Sequence, residues 1–182
     1  MADGTLKVGT ITTSSGSGTI TLGQSGETVT VSGTPSGEIA MTPAFLVSNT
    51  ANNTGKTDNA YAKLTYNVET YDTAGAFDIS NNKFTVPTGK AGKYFFAITE
   101  FYAGDSDNCN NFFLALYKNG SITTSRHYGN GIAFADISPI FSTVLDLSAG
   151  DYVELYGRVN TDSGTWGQYA GGIWQGYRLI GA

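Results

Sequence analysis

From Met41 onward the chain runs in short stretches whose apolar residues recur at every second position, separated by clusters of Gly, Asn, Asp, Ser and Pro. That period belongs to half-buried strands joined by tight turns. It predicts strands over 43–48, 61–69, 76–78, 83–86, 92–102, 111–118, 121–127, 139–147, 151–159 and 171–180. No window keeps apolar residues at i, i+3, i+4 and i+7, so no long helix is expected. Asn119-Gly120, set between Phe112–Lys118 and Ile122, is a two-residue hairpin signal. Asn81-Asn82, Thr88-Gly89 and Ala149-Gly150-Asp151 mark further turns. Before the last of these, Leu145 and Leu147 share one face and Val144 and Asp146 the other. Tyr94-Phe95-Phe96-Ala97-Ile98 carries apolar residues on both faces, which predicts a strand covered twice, by a second sheet and by a neighbouring subunit. The class is all-β, an antiparallel β-sandwich.

Residues 1–40 read differently. They hold no aromatic residue and consist largely of Gly, Ser and Thr. Thr10-Ile11-Thr12, Thr19-Ile20-Thr21 and Thr28-Val29-Thr30 recur at a nine-residue period between Gly/Ser turns. Each unit offers too few apolar groups to bury on its own. Three chains wound about one axis would gather Ile11, Ile20, Leu22, Val29 and Val31 into an apolar column and pair the open strand edges. A flexible tail remains the alternative for a segment of this composition. Gly33-Thr34-Pro35-Ser36-Gly37 breaks the pattern. The chain therefore divides into a β-repeat shaft or attachment segment, 1–40, and a head, 41–182.

Charge and composition narrow the functional classes. The formal net charge is −5, 14% of the 182 residues are charged, and no Lys/Arg cluster exists, which argues against a nucleic-acid partner. One cysteine, Cys109, excludes an intrachain disulfide. No apolar run approaches the ~18 residues of a membrane span, so no membrane insertion is expected. The opening residues lack a charged stretch followed by an apolar one, predicting cytoplasmic synthesis without export, with release by lysis.

Candidate chemistry is sparse, and neither a catalytic group nor a cofactor is expected. His127, the one histidine, sits in Ser125-Arg126-His127-Tyr128 with no nucleophile elbow, which fits a surface or interface side chain better than a triad. Glu69, Glu100 and Glu154 have nothing in sequence to pair them as glycosidase carboxylates. Asp105 and Asp107 alternate in an oxygen-rich run and are the candidate metal ligands; the plainer reading is a polar loop. Cys109 within that run reads as a small buried or half-buried thiol. Asn52 and Asn119 match glycosylation sequons, taken as accidental without export. Trp166 and Tyr169, in a Gly-rich stretch, are candidates for surface binding by stacking on a sugar or anchoring a protein. Capping the sandwich or packing between subunits is their alternative.

The order of several blocks resembles the complement-q-like domain of the tumour-necrosis-factor-like jelly-roll superfamily. These are Pro43-Ala44-Phe45, Tyr66 to Asp72, Phe84-Thr85-Val86-Pro87 with Gly92-Lys93-Tyr94-Phe95-Phe96, Leu114 to Gly120, Leu145 to Leu155, and Gly172 to Ile180. Trp174 departs from the family's usual Phe, and residues 128–138 do not align. The resemblance implies a jelly roll and a homotrimer, of the kind found on phage fibre and decoration proteins. The shaft reading points to the same stoichiometry. Together they lead to the expectation of a virion structural protein, a bacteriophage head fibre, capsid decoration or tail-fibre tip. It would dock on other virion proteins through its N-terminal segment and display the head toward a host surface glycan or protein. A free lectin or ligand with the same head is the alternative.

Overall fold

A computed structural model describes residues 41–105, 108–129, 135–162 and 164–179. The candidate shaft residues Ile11, Ile20, Leu22, Val29 and Val31, and Asp107 of the polar loop, lie outside the described residues.

Two antiparallel sheets face one another. In the first, β12 (Ile140–Leu147), β7 (Gly92–Thr99), β15 (Ile173–Arg178), β1 (Ala44–Ser48) and β4 (Val68–Asp72) lie side by side in that order. In the second the order is β10 (Ser121–Tyr128), β9 (Cys109–Lys118), β13 (Tyr152–Thr161), β6 (Lys83–Thr85) and β5 (Phe77–Asp78), with β3 (Ala62–Lys63) also on β13. The pairing of first strand beside last and the jumps in order make it a jelly roll.

Strand alternation sets the core. Phe45, Tyr94, Phe96, Ile98 and Trp174 point inward from the first sheet, and Phe84, Phe112, Leu114, Leu116, Val153 and Leu155 from the second; all are buried. Phe45 stacks on Phe84 at 5.0 Å and Phe96 meets Phe84 edge-on at 5.9 Å, so rings interlock between the sheets. Each such side chain contributes roughly 1.5–3 kcal/mol of transfer energy. Before the turn at Gly150, Leu147 is buried and Val144 and Asp146 are exposed, as the alternation predicts. Phe95 and Ala97, the other face of β7, are only half-buried. Among the described residues one cover is present and the second is not.

The turns follow their chemistry. Asn119 and Gly120 both have positive φ, 51° and 80°, the two-residue hairpin conformation. The Gly-Asp pair after β12 is tied to that hairpin. Asp151 receives Lys118 Nζ at 2.8 Å, Asn119 Nδ2 at 2.7 Å and the Ser148 N–H at 2.8 Å. Those bonds, Lys118's first, hold its carboxyl down at about 2.

Sequence periodicity missed a third, smaller sheet. It orders β11 (Asp136–Ile137), β8 (Tyr102–Gly104), β14 (Thr165–Gln168) and β2 (Asn53–Thr57) at one end of the sandwich. Its strands are short and mostly polar, without the apolar alternation that reveals a strand. Backbone closeness makes it fit: a Cβ on Gly157 of β13 would sit 2.7 Å from the Tyr102 hydroxyl oxygen and 2.9 Å from the Trp166 ring. Gly157→Ala should therefore destabilise the fold by about 1–3 kcal/mol through overpacking. Urea unfolding checks this; a neutral result would mean that Tyr102 and Trp166 can withdraw.

Candidate functional site

The third sheet corrects one expectation. Trp166 is not a surface side chain: it is 0% exposed, its Nε1 donates to the Thr57 carbonyl at 3.0 Å, and Tyr102 meets it edge-on at 5.4 Å. The cause is topological, because β14 lies between β8 and β2 and turns the indole into the core. It caps the sandwich from within. Tyr169 is half-buried, 5.8 Å from Phe101, with its hydroxyl 3.4 Å from Asp105. Asp105 organises this end of the sandwich. Its Oδ2 accepts the Gly55 N–H and the Thr165 hydroxyl, each at 2.7 Å.

The three glutamates do not converge. Glu69 is exposed on β4, and Glu154 pairs with Lys63 at 2.5 Å on the outside of the second sheet. Glu100 is enclosed, 1% exposed, where it accepts the Tyr66 hydroxyl and, at 3.0 Å, Gln168 Nε2. Burial raises its carboxyl to about 8, against the opposing pull of those two hydrogen bonds. Asn49 stands beside it, with Oδ1 accepting the Gly172 N–H at 2.5 Å and Nδ2 donating to the Tyr169 carbonyl at 2.8 Å. This buried polar group fastens the end loops to the sheet. Cys109 is fully buried on β9.

Two outward faces carry unusual chemistry. On the first sheet, register places Val144 beside Phe95 and Phe95 beside Tyr177, with Ile140 and Ile173 both opposite Thr99. Leu46 lies opposite Tyr71 at the far side of this sheet. Ile140 is 70% exposed, and Val144, Tyr71 and Ile173 each exceed 40%. These exposed apolar side chains share the face with the polar Ser142, Thr99 and Gln175.

The outward face of the second sheet is aromatic and cationic instead. His127 pairs with Phe113 and Phe113 with Arg158, so the three form a row across β10, β9 and β13. The His127 and Phe113 rings stack at 4.5 Å, with His127 Nε2 2.8 Å from Asn111 Oδ1. The Arg158 guanidinium lies 3.9 Å over Phe113 and 5.2 Å from the Tyr61 ring centre. Beside it, Tyr117 and Tyr156 sit 4.0 Å apart, and Tyr61 meets Tyr117 edge-on at 6.0 Å. Sequence reasoning placed His127 at a surface but missed the row. Adjacent Phe112 and Phe113 pointed to one inward and one outward ring, yet the register that aligns Phe113 with Arg158 is a long-range property.

With two facing sheets in this strand order, the described chain has the complement-q and tumour-necrosis-factor type of jelly roll. Among solved structures, the globular domain of a zebrafish complement 1qA protein matches with a TM-score of 0.54 at 18% identity, over 75% of this chain and 97% of that one. Murine APRIL at pH 5.0 matches with a TM-score of 0.55 at 10% identity, over 75% and 98%. At these identities the likeness is one of fold. No protein-family model and no curated protein matches the chain.

Proposed function

We propose that this chain is a non-catalytic virion structural protein. In this reading it is a homotrimeric bacteriophage head fibre, capsid decoration or tail-fibre tip that attaches through residues 1–40 and displays residues 41–182 for adhesion. The observation that carries the reading is the apolar outer face of the five-stranded sheet. Large apolar side chains exposed together on one sheet face mark an association site, and a partner there would supply the second cover that Phe95 and Ala97 lack among the described residues. The nine-residue Thr-Ile/Val-Thr repeat supports the same assembly from the N-terminal side, since its apolar groups need partner chains to be buried. His127 fits a non-catalytic head, its ring spent on Phe113 and Asn111.

Light scattering on the full chain should return three times the chain mass. Val144→Lys combined with Ile173→Lys leaves the core untouched and should shift the protein to monomers, because an unpaired charge at a closed apolar contact costs several kcal/mol. A wild-type monomer at micromolar concentration would overturn the assembly. For the virion assignment, immunogold labelling of particles purified from the source culture should decorate the particle surface. Label confined to the particle-free fraction would overturn it.

A further inference from the structure

We infer that the outward face of the six-stranded sheet, centred on Arg158 and the Tyr117–Tyr156 pair, is a binding platform for an acidic saccharide, a pyranose bearing a carboxylate. The inference rests on the adhesion reading above and names the chemistry that adhesion would use.

Arg158 is the key observation. Its guanidinium lies 3.9 Å from the Phe113 ring centre and 5.2 Å from that of Tyr61, and its Nε is buried with no hydrogen-bond partner. Among the described residues the ion pairs are Lys63–Glu154 and Lys118–Asp151, so no carboxylate neutralises it. A cation stripped of part of its water and given no anion is a site with charge to offer. Its planar fork matches a carboxylate in bidentate fashion, which a lysine could not do. The aromatic contacts fix its orientation in advance, reducing the ordering cost of binding.

The rings beside it select a sugar over a bare anion. Tyr61, Tyr117 and Tyr156 are half-buried and cluster beside the guanidinium. The C–H face of a pyranose covers aromatic surface while its hydroxyls meet the tyrosine O–H groups. A phosphate or sulfate would use the charge and leave the rings uncovered. The nearby Lys63–Glu154 pair, at 2.5 Å, adds donors and acceptors without net charge. This face is distinct from the apolar face assigned to assembly, so both can operate in one molecule.

The test is isothermal titration of the full chain with uronate-, sialate- and pyruvate-bearing oligosaccharides, beside a neutral chitohexaose and sodium sulfate. At least one acidic oligosaccharide should bind, with affinity falling as salt rises, at least tenfold above the neutral one. Arg158→Gln should weaken it about tenfold or more, since a hydrogen bond to a charged group is worth that much. Arg158→Lys should restore only part of the affinity. Tyr156→Ala should weaken binding comparably while leaving the far-ultraviolet circular dichroism and the mass unchanged, which separates loss of the site from loss of the fold. No binding across the acidic panel overturns the inference. So does equal affinity for the neutral sugar, or sulfate binding that Tyr156→Ala leaves unaltered. Light scattering reads the assembly separately: a monomer that still binds the acidic sugar would remove the trimer and keep this site.

Discussion

Replacing Trp174 with alanine will destabilise the sandwich by about 3–5 kcal/mol, seen as a large fall in the urea midpoint with little change in slope. The indole lies on β15, 0% exposed, at the crossing of four other rings. Phe45 and Phe77 meet it edge-on, each at 5.3 Å, and Tyr66 and Phe96 lie at 5.8 and 6.3 Å. Truncation therefore opens a cavity whose walls are rings already braced against one another, which cannot close over it. Trp174→Phe should cost much less, no more than about 1.5 kcal/mol. The indole Nε1 is buried without a partner, so phenylalanine gives up volume but removes an unsatisfied donor. If the phenylalanine variant is as unstable as the alanine one, the ring cage does not decide the energetics of this position.

Stability will fall as pH rises from about 4.5 to about 8, and Glu100→Gln will abolish that part of the slope. The buried carboxyl holds its proton to about 8, while in the unfolded chain it returns to its ordinary 4.5. Throughout that window the folded state binds one proton more than the unfolded. Each unit of rising pH therefore removes up to ~1.4 kcal/mol of stability from this group, with the loss complete above its folded value. Glutamine keeps an acceptor for Tyr66 and has no proton to lose. The gap between variant and wild type should widen in the variant's favour from pH 5 to pH 8, in urea melts at fixed ionic strength. A parallel pair of pH profiles would show that Glu100 does not carry the effect.

The parts of the fold legible in the sequence were those written in local chemistry. Asn119-Gly120, Gly150-Asp151 and the alternation in 111–118 and 151–159 each specify their own conformation, and the structure places a turn or strand at each. The strand predicted over 61–69 divides instead into β3 and β4, because Leu64 to Asn67 contribute only isolated bonds. The third sheet stayed hidden since β2 is Asn-Thr-Gly-Lys-Thr and β14 is Thr-Trp-Gly-Gln, stretches that read as loop. What makes them strands is the pairing of β14 with β8 and of β2 with β14, together with the bridge from Asp105 to Gly55 and Thr165, all between segments far apart in the chain. For the same reason the sequence left Trp166 open between surface binding and capping the sandwich, and the structure selects the capping. Aromatics in a Gly-rich stretch signal exposure only if no neighbouring strand covers them. The apolar face was half visible, in the two-sided pattern of 94–98. The Arg158 row was not, as its three side chains come from three strands that only register aligns.

One topological feature has mechanical meaning. β1 is not an edge strand: Ala44–Ser48 lies against Tyr177–Ile173 on one flank and against β4 on the other. Tension entering from the N-terminal side is therefore delivered along an inner strand. Antiparallel hydrogen bonds run across the strand direction, so a pull along β1 strains those on both flanks together, as in a glued lap joint, rather than one by one from an open end. A load along Ala44–Ser48 is therefore met in shear by both flanks at once.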